Sequence, residues 1–278
     1  MIPRRAFLAS GCAFAAAPFF ARADAARLSL SGSLQQGSLI VGTAKNASVT
    51  INGSACSVSP EGVFAFGFNY DQTKSSVIVA KFADGKSETR EIAPVVRKYD
   101  IQHVNGLPEN TVHIPPDVEE RIKRENALVF EARKRDTAAT DFTKAFDWPI
   151  KGIISGNFGN QRIDNGTPMT PHFGVDIAAP KGTPIHAPAD GTVSLAEPDF
   201  YLTGGTAMLD HGHGVSTVYI HQDAVKVKAG DAVKRGDVIG LVGMKGRATG
   251  PHLHWGMNWF QMRLDPSLSA VTPMPEKA

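Results

Sequence analysis

Short runs of β-branched and aromatic residues, cut every few positions by glycine, constrain this chain more than any other feature. Residues 38–42, 47–51 and 76–82 are such runs. Asn52-Gly53, Glu61-Gly62 and Asp84-Gly85 punctuate them. Asn-Gly and Asp-Gly supply the positive φ values that tight hairpins need. After Trp148 the pattern resumes at 153–159, 191–195, 206–209, 216–221 and 238–242, without any long helical periodicity. The expected fold class is mainly β. A small N-terminal β-sandwich-like domain would span 24–97 and a short helical linker 98–147. A C-terminal antiparallel β domain would span 148–278. A chain of 278 residues has room for about two such domains.

Composition narrows the partners. Hydrophobic content of 42% against 20% charged residues fits a folded chain rather than a disordered one. A net charge of +2 is too small to select nucleic acid or an anionic membrane. Residues 1–23 read as an export signal. Arg4-Arg5 precedes an apolar stretch over 7–20, and Ala21-Arg22-Ala23 has the form of a cleavage site. The paired arginines resemble a twin-arginine signal. The apolar stretch falls short of the roughly 20 residues of a membrane span, so no stable span is expected after export. Ala9-Ser10-Gly11-Cys12 resembles a lipidation site, but the apolar stretch before Cys12 is too brief for one. With the leader removed Cys56 is the single cysteine, so no intramolecular disulfide can form. Its strand-like surroundings suit a small buried side chain better than a reactive thiol.

The N-terminal domain has no histidine and no dense acidic pair. It reads as a structural, targeting or glycan-contacting module. Residues 98–114 read as an irregular crossing through Gly106-Leu107-Pro108. Pro115-Pro116-Asp117 then opens a helix over about 115–135, with Asp117 as its N-cap. Glu119 and Lys123, Glu120 and Arg124, and Glu131 and Arg135 are i,i+4 pairs of favourable polarity. Val118, Ile122 and Val129 make a partial apolar stripe. A lightly packed, solvated spacer is expected; a gate over the C-terminal domain is the sharper possibility.

Seven of the nine histidines follow Trp148. In Gly250-Pro251-His252-Leu253-His254-Trp255, strand alternation puts both imidazoles on one face. His172 and Asp176 lie four positions apart. In Tyr219-Ile220-His221, alternation puts Tyr219 and His221 together and Ile220 opposite. Asp210-His211-Gly212-His213-Gly214 offers a second His-x-His. Glycines around His213 suggest a mobile, exposed hairpin tip, whereas a metal site needs ligands on firm elements. His211 and His213 are therefore expected to be turn residues, and His186 a surface side chain without a partner. Imidazole and carboxylate suit zinc, and the lack of a nearby cysteine excludes a blue-copper site. Three protein ligands plus a water is the catalytic arrangement. Zinc makes hydroxide available at neutral pH, and further imidazoles can move its proton or stabilise an oxyanion. Amide hydrolysis fits that set. Spacing alone leaves open whether His252 is a ligand.

The sequence His172-x-x-x-Asp176 followed by His252-x-His254 resembles the lysostaphin-type zinc peptidases, also called the LytM-domain family. The likeness extends through Ser155-Gly156-Asn157-Phe158-Gly159, through His172 to Pro180, and through Gly182-Thr183-Pro184. It continues from Asp210-His211-Gly212 to Tyr219-Ile220-His221, and through residues 229–237 and 246–254. It covers about 148–268. Position by position, the resemblance implies one Zn2+ held by His172, Asp176 and His254. It implies non-ligand catalytic roles for His221 and His252, and it places His211 and His213 in a hairpin turn. The implied activity is endopeptidase cleavage of peptidoglycan peptides, in keeping with export. No SH3-like wall-binding domain is recognisable. With a twin-arginine-like leader, a periplasmic enzyme acting on D-alanyl–diaminopimelate cross-links is expected. The alternatives are a catalytically silent activator of other wall hydrolases, and a zinc peptidase acting on glycine-rich proteins.

Overall fold

The computed structural model describes residues 26–271; the leader expected over 1–23 lies outside them. The N-terminal strands are β1 (Ser29–Ser31), β2 (Leu39–Thr43), β3 (Ala47–Ile51), β4 (Ser54–Cys56), β5 (Val63–Gly67), β6 (Ser76–Phe82) and β7 (Ser87–Ile92). One antiparallel sheet runs β1-β2-β5 and the other β4-β3-β6-β7. Strict alternation on β6 turns Ile78, Ala80 and Phe82 inward, where they meet Ile40, Phe64 and Phe66 of the other sheet. Each such large apolar side chain contributes roughly 1.5–3 kcal/mol on full burial. Asn52 and Gly53, at φ 50° and 83°, make the two-residue turn between β3 and β4. The expected sandwich is present, with strands where the runs placed them. Cys56 is half-buried, and burial, then the charge of Asp136, pushes its thiol up to about 12. Such a thiol stays protonated and inert.

The middle segment departs from expectation. Residues 98–114 hold a strand, β8 (Ile101–Val104), and a single turn, α1 (Glu109–Val112). The helix α2 spans Glu119–Ala132 and follows a 3-10 turn over Pro116–Val118. Asp117 sits within that turn and is not the N-cap; Val118 holds that position without a side-chain hydrogen bond. Its ion pairs also differ from the three i,i+4 pairs expected. Arg121 pairs with Glu125, Lys123 with Glu120 and Lys134 with Glu131. Arg135 reaches buried Asp210 at 3.3 Å instead of Glu131. Nor is the segment a loose spacer. β8 adds to the C-terminal half as a parallel partner of β10 (Gln161–Asp164), which in turn pairs with β11 (Thr167–Pro168).

The remaining strands are β9 (Ile153–Gly156), β12 (Val175–Ala178), β13 (Pro184–His186), β14 (Gly191–Phe200), β15 (Gly204–Gly212), β16 (Val215–Val225), β17 (Ala232–Val233), β18 (Val238–Val242), β19 (His252–Trp259) and β20 (Met262–Leu264). The main sheet runs β17-β14-β15-β16-β19-β12-β9, with β18 beside β16, β13 beside β18 and β20 beside β19. Leu253, Trp255 and Met257 alternate along β19 into a core shared with Ile177 and Tyr219. That core also takes in Leu39 and Ala65 from the N-terminal strands. An Arg97–Asp265 ion pair of 2.7 Å, with Asp265 buried, fastens the same junction.

Candidate metal centre

β12 and β19 run antiparallel in a register that sets Asp176 opposite His254 and Ala178 opposite His252. Because Leu253 and Trp255 are committed to the core, His252 and His254 must both face the other way. His172 lies just before β12, held by its own backbone. Its N–H donates to Asn160 O at 2.9 Å, and its carbonyl accepts from Gly159 N at 2.7 Å. Its ring Nδ1 meets Asn157 O at 3.0 Å, which leaves Nε2 turned to the centre. There His172 Nε2 lies 2.8 Å from His254 Nδ1 and 3.0 Å from Asp176 Oδ1, and His254 Nδ1 lies 2.9 Å from Asp176 Oδ1. Three donor atoms thus converge from two strands and a loop. Gly174 permits the close approach, since a Cβ there would overlap the His254 ring.

The donor set fits zinc. Two imidazoles and a carboxylate match its preferred ligands, and all three side chains line a cleft. For Asp176 and His254 the protonation states fit as well. Burial alone would raise Asp176, but the charge of His172 and hydrogen bonds from both histidines hold its carboxyl well below the usual range. Burial lowers His254 to about 4, so its ring is neutral at neutral pH. An ionised carboxylate and neutral imidazoles are the forms that bind a metal. The carbonyl behind His172 is the kind of outer partner that orients a ligating ring.

His221 and His252 complete the cluster. Their ring centroids are 4.7 Å apart, and that of His221 is 6.3 Å from that of His254. His221 Nδ1 meets Lys245 O and His252 Nδ1 meets Gly250 O, each at 2.8 Å. Each ring therefore keeps Nε2 available. Burial, then the neighbouring His252 and His254, push His221 down to about 3. One expectation fails here. Tyr219 is in the core, and His221 shares the cleft with Ile220 instead of sharing a face with Tyr219. The cause is backbone: His221 has φ 62°, and the ladder of β16 is irregular around it. Alternation does not survive a left-handed residue.

The other His-x-His pair is elsewhere. His213 does sit in a turn, at φ 48°, but His211 lies within β15, and both are buried rather than exposed. The middle segment covers them: His213 N donates to Thr137 O at 2.9 Å, Phe142 stacks on His213 and Phe146 packs edge-on against His211. His211 is fully satisfied by Asp190 O and Thr217 Oγ1. His186 is exposed as expected, though its Nδ1 contacts Gly236 O at 2.8 Å.

The cluster forms the floor of a cleft of about 570 Å³. A second hollow of about 230 Å³ continues on the far side of Asp176, bordered by β8 and His252. Arg162 separates the two and contacts Asp176 Oδ2 directly. Sequence reasoning missed Arg162, and no periodicity or spacing marks it. It also missed the orienting carbonyls of Asn157, Lys245 and Gly250, because backbone groups have no signature in residue type.

Residues 170–266 match the family model of Peptidase family M23, so the chain carries an M23 peptidase domain. Among curated proteins, the peptidoglycan DD-endopeptidase ShyA of Vibrio cholerae is 42% identical over 124 residues, 43% of this chain and 29% of that protein. The DD-carboxypeptidase/endopeptidase Mpg of Neisseria meningitidis is 42% identical over 106 residues, 38% of this chain and 24% of that protein. The chain thus spans less than a third of the length of these relatives. A crystal structure of a candidate M23 peptidase from Pseudomonas aeruginosa matches with a TM-score of 0.66 at 28% identity, covering 85% of this chain and 94% of that one. That likeness takes in the N-terminal strands and the middle segment as well as the peptidase domain.

Proposed function

We propose that this protein is an exported, zinc-dependent endopeptidase that hydrolyses peptide cross-links of bacterial peptidoglycan, with D-alanyl–diaminopimelate bonds as its substrate. The observation that carries this reading is the convergence of His172 Nε2, Asp176 Oδ1 and His254 Nδ1, all within 3.0 Å of one another, beside two further imidazoles. His172, Asp176 and His254 would hold the metal. A zinc ion bound there supplies Lewis acidity and lowers the pKa of a water to about 7. His221 and His252 do the proton work. With Nδ1 of each ring engaged by a carbonyl, Nε2 of a neutral ring carries a lone pair and accepts a proton. Once protonated, the same Nε2–H donates to a developing oxyanion or a leaving amine. Two hollows on either side of Asp176 suit a chain bound across the cluster.

Export and a periplasmic location follow from the leader and the substrate. Among the described residues no helix is long and apolar enough to cross a membrane. The test is digestion of purified sacculi by the zinc-loaded chain, with products identified by mass spectrometry. Release of D-alanyl–diaminopimelate-cleaved fragments with one zinc per chain is the expected result. A protein that binds no stoichiometric metal and releases no peptide overturns the reading in favour of a silent activator. Cleavage of glycine-rich protein but not of sacculi overturns the substrate.

A further inference from the structure

Four arginines line the main cleft, and two of them have no counter-charge. Arg162 meets Asp176, and Arg247 Nε lies 3.7 Å from Asp164 Oδ2. Among the described residues Arg133 and Arg263 form no ion pair. Arg133 stands at the C-terminal cap of α2, and its Nε is buried without a hydrogen-bond partner. Arg263, in β20, has one side-chain hydrogen bond, from Nη1 to Asn258 Oδ1 at 3.1 Å, and lies 5.3 Å from the centroid of the Phe173 ring. Phe173, the neighbour of His172, lines the same cleft as Arg263 and the three candidate ligands.

A guanidinium withdrawn from water without a partner anion is costly, and a second one beside it makes the cost worse. Burial, then the charge of Arg263, pushes Arg133 down to about 9; burial pushes Arg263 down to about 10. Both nevertheless remain charged at neutral pH. Two half-buried cations without an ion pair among the described residues, at the wall of an open cleft, suit an anion that arrives with the ligand. The planar fork of arginine matches a carboxylate with two parallel hydrogen bonds.

We propose that Arg133 and Arg263 form a subsite for a free carboxylate of the substrate, the one carried on the carbon attached to the scissile nitrogen. The inference rests on the hydrolase reading above, because a bond between two D centres leaves such a carboxylate on its amine side. It gives α2 a definite task. The helix presents Arg133 to the substrate as part of the specificity wall of the cleft.

The test uses the full chain and two peptides, diacetyl-L-lysyl-D-alanyl-D-alanine with a free terminal carboxylate and the same peptide as its carboxamide. Binding is measured on chelator-treated protein, where nothing is cut, and turnover on zinc-loaded protein. The carboxylate peptide is expected to bind about tenfold or more tightly than the carboxamide, the scale of a lost charged hydrogen bond. Arg133→Gln and Arg263→Gln should each remove most of that preference, and Arg263→Lys should restore part of it. Equal binding of the two peptides to the unaltered protein overturns the subsite, and that comparison needs no variant to fold. An unchanged preference in correctly melting Arg133→Gln and Arg263→Gln variants also overturns it. Carboxylate preference without any cleavage leaves the subsite standing and sinks the hydrolase reading. Equal binding with cleavage of sacculi does the reverse.

Discussion

His252-x-His254 and His211-x-His213 have the same spacing, and the fold gives them opposite uses. The first pair lies within a regular strand, with Leu253 and Trp255 sealed in the core, so both imidazoles emerge on one face beside Asp176. The second pair straddles the end of a strand. His211 lies within β15, one residue before its end, and His213 enters a left-handed turn, so the two do not share a face. Residues 137–146 then cover that turn. One pair ends at the floor of an open cleft and the other inside the packing. A spacing rule has chemical meaning only where the backbone stays regular.

Substitutions should separate the two pairs sharply. His254→Ala is expected to abolish zinc binding and to lower turnover by at least about a thousandfold, since the proposed ligand and its contact to Asp176 are both lost. Zinc content and peptide release from sacculi measure this; an enzyme that keeps both would break the contrast at its strongest point. His221→Ala comes next. It should keep one zinc per chain and lose about 10²–10⁴ in kcat, the range of a positioned acid–base group. Full activity with metal retained would remove His221 from the proton work.

His211 should show the smallest effect, and in stability rather than catalysis. Burial lowers its pKa to about 4 from the ordinary value of about 6.5. Between those values the unfolded chain binds the extra proton and the folded chain does not. Stability from this group is therefore complete above about pH 6.5 and declines as pH falls toward 4, by at most about 3 kcal/mol. Replacing it with glutamine should flatten that part of the melting-temperature profile while leaving zinc content unchanged. A profile as steep as that of the unaltered chain would show that His211 is not the group responsible. Loss of zinc in this variant would erase the distinction between the pairs.

Much of this was legible in the residues. The N-terminal strands, their Asn-Gly and Asp-Gly turns and the shared face of His252 and His254 all depend on local rules of alternation and turn chemistry. His221 shows where such rules stop. Its left-handed backbone carries it away from Tyr219 and toward His252, and no residue in Tyr219-Ile220-His221 announces that irregularity. The middle segment shows a second limit. Its charges and apolar stripe describe a solvated helix, yet β8 completes a sheet and α2 walls the cleft. Both roles depend on partners some 60–130 residues away in the chain, as in the bond from Gln261 to Phe130 O.

The full set of five site residues came through the family resemblance, while the sequence by itself determined the mainly β character, most of the strand positions, and the shared face of His252 and His254. Those follow from short-range periodicity and from residue chemistry, which a chain carries with it wherever it goes. Only the tertiary structure decided that the second histidine pair is sealed, that His221 turns into the cleft, and that two arginines from α2 and β20 stand unpaired in its wall. Burial, left-handed backbone and missing counter-charges are properties of surroundings, and surroundings exist only once distant segments have packed.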